Sequence, residues 1–403
     1  MQRTLHGKPA HSPSRRMAAA VRLLAACAVS GFLAACVARV GEEPAAESAG
    51  PPALEARMVL NRALFLSWTE APEEDFGCYE VYGGPADGAL PARPLAVLDE
   101  ADHCYLQVRG LEPETEYAFR IRLLPASGGD GLWSAPVRAT TLRDGYPEGT
   151  PPGAVRVPTL MYHHVRPLAT FQPGADPGGW YSTENFERDL AWMKDHGVHT
   201  VTTADILDGR LPENPVFLTF DDGYTDFLDY AVPLLVRYGF QAANAIVTQL
   251  TAGQSTWALP EWPLDSLMTW PQIRRCLQAG MEIGGHTQTH VNLYARPDQL
   301  GQIRGSFDDL ADALGFPPLY FCYPFGMGGH DFVDAKIAAR DAGYRLATAT
   351  WPPSDAVLAS DPFFFPRRFA NQADSLQAFL AKAGLPAADG TEPGGSGGAP
   401  QER

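Results

Sequence analysis

The stretch VFLTFDDG, residues 216–223, joins an apolar run to two adjacent carboxylates and a glycine. A run of this length and composition, followed by a turn signal, predicts a buried β-strand over residues 216–220. Asp221 and Asp222 then lie where the strand ends, and Gly223 permits the bend that would bring both carboxylates to one site. Because Asp-Gly is also a common turn sequence, an ordinary acidic turn remains open at this point.

Similar apolar runs recur on both sides of this stretch and alternate with amphipathic segments. Strands are predicted at residues 159–162, 200–203, 216–220, 243–248, 282–284, 319–323 and 346–350. Helices are predicted at residues 185–196, 227–238, 270–279, 298–314, 332–342 and 373–383. Seven consecutive βα units favour a distorted parallel (β/α)7 barrel over an open sheet. In such a barrel the carboxyl ends of the strands carry the functional site.

Two histidines follow the predicted strand at residues 282–284. His286 and His290 are four residues apart, so they would share one face of a helical turn and could hold one metal ion. A pair of buried histidines with no ligand is the alternative. A carboxylate from Asp221 or Asp222 would complete a His2Asp site with an open coordination position. Zinc is the expected metal, while cobalt, nickel or iron would suit the same ligands.

These two motifs together resemble a known family. TFDDG at residues 219–223 and HTxxH at residues 286–290 are similar to the motifs of polysaccharide deacetylases of carbohydrate esterase family 4, the NodB-homology domain. The resemblance covers about residues 158–385. It implies that Asp221 is the general base, and that Asp222, His286 and His290 bind the metal. The chemistry agrees, since hydrolysis needs a proton acceptor and a metal ion polarises the acetyl carbonyl.

The third motif of the family is altered in this chain. Residues 322–326 keep the proline and the aromatic residue, but Cys322 stands where an arginine is usual. The backbone N–H of Phe325 is the expected oxyanion donor. The missing arginine normally orients the base, and Arg367 is the candidate that would replace it in space. A surface cation is the alternative interpretation of Arg367.

The family's C-terminal histidine is missing as well, because no histidine follows His330. The segment MYHHV at residues 161–165 resembles the Tyr-His segment of a circularly permuted branch, which contains biofilm deacetylases of poly-β-1,6-N-acetylglucosamine. On that resemblance His163 is the general acid, and a hydrogen bond near an aspartate would hold its proton at neutral pH. His164 is expected behind the site or on the surface.

The region before the barrel has an all-β pattern. Residues 53–142 contain several short alternating runs separated by turn residues, which predict a β-sandwich. The segments at 66–68, 111–117 and 133–136 resemble those of a fibronectin type III domain. Cys78 and Cys104 would begin two strands that run in the same direction, so a disulfide between them is geometrically possible. Residues 143–157 are rich in Pro and Gly and predict a linker.

The N-terminus is typical of an export signal. Arginines precede a short apolar run that ends in LAAC at residues 33–36, which resembles a bacterial lipobox with Cys36 as the lipidated residue. Cleavage without lipidation is the alternative. Residues 1–36 are then the signal peptide and 37–52 a tether. The chain is predicted to be a cell-envelope lipoprotein in the periplasm or at the outer membrane, anchored through Cys36, or otherwise a secreted protein. Residues 386–403 are predicted to be a disordered tail.

Composition narrows the classes of partner. The 403 residues carry a net charge of -16, so nucleic acid is not an expected partner.

The leading hypothesis is hydrolysis of N-acetyl groups on an N-acetylglucosamine polysaccharide, with poly-β-1,6-N-acetylglucosamine favoured and peptidoglycan or other glycans as alternatives. A catalytically weak glycan-binding envelope lipoprotein, with the β region contacting envelope proteins or glycan, is the competing hypothesis. Three aromatic residues could stack on sugar or pack in the core: Trp257, Trp262 and Tyr323.

Overall fold

The computed structural model describes residues 50–171, 179–257, 265–326, 332–350 and 356–386. The predicted signal peptide, the lipidation site Cys36, the tether before residue 50, Trp262 and the tail after residue 386 lie outside the described residues. Across the described ranges, every helix is too short or too polar to cross a lipid bilayer.

The N-terminal β region consists of two antiparallel sheets. One has the strand order β1-β2-β5, and the other has the order β4-β3-β6-β7 with β8 paired to β6. The strands are β1 Leu54–Arg57, β2 Ala63–Trp68, β3 Phe76–Pro85, β4 Ala96–Leu98, β5 Tyr105–Arg109, β6 Glu116–Pro125, β7 Leu132–Trp133 and β8 Val137–Thr140.

Alternation along the strands explains how the two sheets share one core. In β6, Tyr117, Phe119, Ile121 and Leu123 are buried, while the residues between them are more exposed, as expected for a strand with one buried face. These side chains join those of β2, β3 and β5 in a single hydrophobic cluster. Cys78 and Cys104 are free thiols, so the disulfide considered from the sequence is not formed.

The second region is a nearly closed barrel of parallel strands. Its order is β18-β17-β16-β15-β14-β13-β9-β19, with β12 beside β13. A separate parallel pair, β10 with β11, lies next to it. The strands are β9 Thr159–Tyr162, β10 His164–Arg166, β11 Trp180–Ser182, β12 His199–Thr200, β13 Pro215–Phe220, β14 Ala243–Ile246, β15 Glu282–Gly285, β16 Tyr320–Cys322, β17 Leu346–Ala349, β18 Phe365–Pro366 and β19 Arg368–Phe369.

The segment at residues 365–369 closes the ring. Strand β18 pairs with β17, and β19 pairs with β9, so Arg367, the one residue between them, lies where the barrel ends meet. Helices cover the outside: α1 Thr183–Asp195, α2 Thr203–Asp208, α3 Val232–Tyr238, α4 Trp270–Gln278, α5 Gly301–Leu314, α6 Val333–Ala342 and α7 Leu376–Lys382. Phe227–Ala231 forms a π-helical turn before α3.

Each of the seven predicted barrel strands occurs, with ends shifted by a few residues at most. The pair β10–β11 and the closing strands β18 and β19 were not predicted. They are two or three residues long, so they are too short to produce a periodic pattern.

The β region packs against the amino ends of the barrel strands. Met58 and Phe65 belong to the same buried cluster as the helix-facing residues of the barrel. A Cβ added to Gly280, just before β15, would lie 2.6 Å from Sδ of Met58, which shows how closely the two regions approach. Arg109 donates to Asp205 of α2 at 2.6 Å. The opposite, carboxyl ends of the strands therefore stay free of the β region and carry the predicted site residues.

Candidate active site

A carboxylate and two imidazoles converge at the carboxyl ends of β13 and β15. Oδ1 of Asp222 lies 3.2 Å from Nε2 of His286 and 3.2 Å from Nε2 of His290. All three side chains are buried. Their ligand atoms lie within 4.8 Å of one another, so one ion could contact all three.

The surroundings of these residues fit a metal ion. Oδ1 of Asp222 and Nδ1 of His290 are buried and lack hydrogen-bond partners among the described residues. An unpartnered buried carboxylate oxygen is unfavourable unless a cation compensates it. Nδ1 of His286 donates to the backbone oxygen of Cys322 at 2.8 Å, which leaves Nε2 free to ligate, as in many metal sites. One carboxylate and two imidazoles form a donor set that suits zinc and related divalent ions.

The backbone around the site is strained. Asp222, Thr287, His290 and Phe325 have φ values of 79°, 62°, 59° and 61°. They are four of the nine non-glycine residues with positive φ in the described ranges, so the strain is concentrated here. The sequence interpretation placed His286 and His290 on one face of a helical turn. Residues 287–289 instead form a non-helical turn, and its left-handed residues bring the two rings together.

Arg367 lies behind Asp221 and forms two hydrogen bonds to its carboxylate. Nη1 of Arg367 donates to Oδ1 at 2.7 Å and Nη2 donates to Oδ2 at 2.6 Å, which is the bidentate geometry that a guanidinium favours. The side chain of Arg367 is 1% exposed. The alternative that Arg367 is a surface cation is therefore wrong.

Cys322 and Thr219 complete the surroundings of Asp221. Nη2 of Arg367 lies 2.7 Å from Sγ of Cys322, and that thiol donates to Oδ2 of Asp221 at 3.5 Å. Nη1 of Arg367 also donates to Oγ1 of Thr219 at 3.0 Å. Sequence reasoning missed Thr219. Alternation along β13 would have found it, because residues two apart on a strand share a face.

Burial and charge compete in setting the pKa values of the two aspartates. For Asp221, burial alone would raise the pKa, but the charge and hydrogen bonds of Arg367 outweigh it and lower the pKa. For Asp222, burial also opposes ionisation, yet His290 and His286 hold its pKa well below the usual range. Both carboxylates are therefore ionised at neutral pH.

His163 follows β9 at the same rim. Burial lowers its pKa, while the charges of Asp222 and Asp221 act in the opposite direction. Nδ1 has no hydrogen-bond partner within the described ranges, and the ring stacks on Phe369 at 5.4 Å between centroids. The hydrogen bond to an aspartate that the sequence led us to expect is not formed at Nδ1 in the part of the chain that the structure describes. Burial outweighs the charges of the two nearby carboxylates, so the pKa of His163 is lowered overall.

His164 does not lie on the surface. Its side chain is buried, and Nδ1 donates to Oδ2 of Asp226 at 2.7 Å. Its ring stacks on Tyr224 with centroids 3.9 Å apart. The sequence left two positions open for His164, behind the site or on the surface. Its burial rules out the surface and leaves the position behind the site.

The aromatic candidates differ in what they contact. Trp257 stacks on His290 at 4.1 Å between ring centroids, and Phe325 lies 4.6 Å from the same ring. Phe325 is 57% exposed, so its side chain borders the open rim. Tyr323 is buried and donates to the backbone oxygen of Phe363. Tyr323 is therefore a core residue and cannot stack on a sugar.

Comparisons with known proteins agree on the kind of domain. Residues 208–347 match the family model described as "Polysaccharide deacetylase". YxkH of Bacillus subtilis (strain 168), a candidate polysaccharide deacetylase by name, is 25% identical over 209 residues, which are 49% of this chain and 65% of YxkH. The poly-beta-1,6-N-acetyl-D-glucosamine N-deacetylase of Escherichia coli (strain K12) is 27% identical over 133 residues, which are 28% of this chain and 18% of that protein.

The chain is also similar to a solved deacetylase structure. The Streptococcus pyogenes deacetylase PplD in complex with acetate has 26% identity and a TM-score of 0.48, covering 57% of this chain and 98% of that one. Among the curated relatives, the chain spans less than two thirds of the length of both YxkH and the Escherichia coli protein. The family match and the curated relatives both point to one kind of domain. Residues 208–347 therefore resemble a polysaccharide deacetylase domain, as the two sequence motifs predict.

Proposed function

We propose that this protein hydrolyses N-acetyl groups on an N-acetylglucosamine polysaccharide and releases acetate. The convergence of Asp222, His286 and His290 beside the Arg367–Asp221 pair is the observation that carries the proposal. It combines a place for a divalent metal, most simply zinc, with a second ionised carboxylate, that of Asp221, which Arg367 holds by two hydrogen bonds.

The chain's own residues divide the reaction between them. Asp222, His286 and His290 would hold a divalent metal, which would supply Lewis-acid polarisation of the acetyl carbonyl. Asp221 accepts a proton from the attacking water, and Arg367 fixes the direction in which its carboxylate points. The backbone N–H of Phe325 donates to the oxygen that becomes negative. His163 gives a proton to the leaving nitrogen, so water is consumed and acetate and a free amine are formed.

Arg367 supports this proposal over the glycan-binding alternative. The substitution at Cys322 removes the usual orienting arginine and would favour an inactive protein. Arg367 reaches the same carboxylate from the segment that closes the barrel, with two hydrogen bonds of 2.7 and 2.6 Å. A binding protein would have no need to orient Asp221.

Release of acetate is the direct test. The purified protein, reconstituted with Zn2+ or Co2+, should release acetate from N-acetylglucosamine oligomers, and chelation should stop it. Asp222→Ala should abolish the reaction, while Lys336→Met, in an ion pair with Asp361, should leave it unchanged. Absence of acetate with every divalent ion tried would favour the binding alternative.

For the substrate we propose poly-β-1,6-N-acetylglucosamine, with peptidoglycan as the second candidate. The placement of His163 at the catalytic rim and the name of the Escherichia coli relative support this choice. Parallel incubations with β-1,6-linked oligomers, β-1,4-linked oligomers and peptidoglycan would decide it. Faster release from β-1,4-linked material would contradict the proposal. His163→Gln should reduce turnover sharply while metal binding is retained.

We also propose that the β region is a fibronectin type III-like sandwich. The N–H of Glu112 donates to the hydroxyl of Tyr117 at 2.9 Å, a tyrosine-corner contact found in related sandwiches. Its ligands in the envelope, protein or glycan, would be found by pull-down with the isolated region.

For the location we propose an exported lipoprotein anchored through Cys36. The lipobox-like sequence at residues 33–36 supports it. Expression in a bacterium should place the protein in the membrane fraction, and Cys36→Ala should release it. Equal partitioning of both proteins would contradict the anchor.

A further inference from the structure

A second group of charges, two of them buried and two partly buried, lies beside the proposed metal ligands and takes no part in the proposed reaction. We define the buried ion cluster as His164, Arg166, Asp226 and Asp265. Nε of Arg166 donates to Oδ2 of Asp226 at 2.7 Å, and Nη2 donates to Oδ1 of Asp265 at 2.7 Å. One guanidinium therefore joins two carboxylates.

The cluster ties together three separate segments of chain. Arg166 and His164 belong to β10, Asp226 follows the turn that carries Asp222, and Asp265 precedes residues 266–268. The last two segments also contact through their backbones. The N–H of Thr225 donates to the oxygen of Ser266 at 3.0 Å, and the N–H of Met268 donates to the oxygen of Gly223 at 2.9 Å. The turn after β13 is thus held both by the ion pairs of the cluster and by backbone hydrogen bonds to residues 266–268.

Stability alone gives no reason for such a cluster. The side chains of Asp226, His164, Asp265 and Arg166 are 5%, 7%, 17% and 18% exposed. Removing charges from water has a large penalty, and apolar residues of similar volume often stabilise a protein equally well or better. We therefore expect this cluster to fix the positions of neighbouring residues rather than to stabilise the fold.

The geometry that needs support lies in the same turn. Asp222 and Gly223 both have left-handed backbone, with φ of 79° and 80°. A non-glycine residue keeps a left-handed backbone conformation only when the surrounding structure prevents it from relaxing. Tyr224, two residues after Asp222, connects the turn to the cluster, because its ring stacks on that of His164 with centroids 3.9 Å apart.

We propose that the buried ion cluster is a brace that holds Asp222 in its left-handed conformation and so aims its carboxylate at the metal. Arg166, Asp226 and Asp265 are then positioning residues for the metal site. This inference rests on the proposed metal site but names residues outside its ligand set.

Metal affinity measures the brace directly. Arg166→Met should weaken binding of Zn2+ and Co2+ by about 10- to 100-fold, the range typical for residues that support metal ligands. The absorption bands of bound Co2+ should shift, because the position of one ligand changes. Arg109→Met is the matched control. It removes a partly buried arginine that pairs with Asp205 at the opposite end of the barrel, and it should leave affinity and spectrum unchanged.

A second variant covers the case in which Arg166→Met does not fold. The triple variant Arg166→Met, Asp226→Asn, Asp265→Asn removes the unpaired charges together with the cross-link. It should fold and should bind Zn2+ about 10- to 100-fold more weakly than the unchanged protein.

The outcomes separate the two proposals. If the unchanged protein binds neither Zn2+ nor Co2+, the proposed metal site fails. If it binds them, and either folded variant binds with the same affinity and the same Co2+ spectrum, the brace is refuted and the proposed function stands.

Discussion

Ionisation of Glu282 should destabilise the folded protein as the pH rises through neutrality. Glu282 begins β15, and its Oε2 accepts a hydrogen bond from the N–H of Thr203 at 2.9 Å. Burial raises the pKa of Glu282 from 4.5 to about 7, and the nearby charge of Asp205 acts in the same direction. The folded state therefore binds more protons than the unfolded state between these values. Stability contributed by this site is lost as the pH rises from about 4.5 to about 7.

The magnitude follows from the size of that pKa difference. A rise from 4.5 to about 7 corresponds to an upper bound of about 3 kcal/mol. Glu282 lines a cavity of about 370 Å3 between the β region and the barrel, and its side chain is partly exposed. Since solvent reduces the penalty, we expect about 2 kcal/mol.

Glu282→Gln isolates this effect. Glutamine keeps an oxygen that accepts from Thr203 and removes the ionisation. The variant should exceed the unchanged protein in free energy of unfolding by about 2 kcal/mol at pH 8 and by less than about 0.5 kcal/mol at pH 4. Urea denaturation at both pH values measures the difference, with Glu148→Gln at an exposed glutamate as control. A difference that is independent of pH, or a variant less stable at pH 8, would refute the reasoning.

Three further predictions concern the site and its support. Arg367→Lys keeps the charge but loses the bidentate grip on Asp221, so acetate release should fall about 100-fold; an unchanged rate would show that orientation of Asp221 is unimportant. Met58→Ala should lower the free energy of unfolding by about 2 to 5 kcal/mol in urea and leave turnover intact, because Met58 packs at the far end of the barrel; a loss of turnover in the folded variant would contradict that separation. Zn2+ at about 100 times its dissociation constant should stabilise the protein by about 2.7 kcal/mol in thermal unfolding, and Asp222→Asn should remove most of this gain; full stabilisation of the variant would place the ion elsewhere.

The barrel is largely visible in the sequence because its strands are apolar runs with clear boundaries. The residues of β9, β13 and β15 each lie where the pattern predicts them. The closing segment at 365–369 is different. Its two short strands exist only because they pair with β17 and β9, and such pairing is set by tertiary packing rather than by a local pattern.

The site was predictable in its parts and less so in its geometry. Strand ends and histidine spacing indicated Asp222, His286 and His290 as one group, but the sequence suggested a helical turn where a strained one is found. The ion pair of Arg367 with Asp221 joins residues that are 146 positions apart in the sequence. No local pattern encodes a contact of that separation. The roles assigned to these residues, the domain boundaries and the lipid anchor stay predictions.

The left-handed residues at the site affect any attempt to make this protein more robust. Each non-glycine residue in that conformation carries a penalty of about 1 to 3 kcal/mol, and four of them surround the proposed metal position. Substitutions that relax these residues would raise the melting temperature while they dismantle the ligand geometry. Selection for heat resistance alone would therefore enrich inactive variants first at Asp222, Thr287, His290 and Phe325. Libraries aimed at stability should keep these four positions fixed.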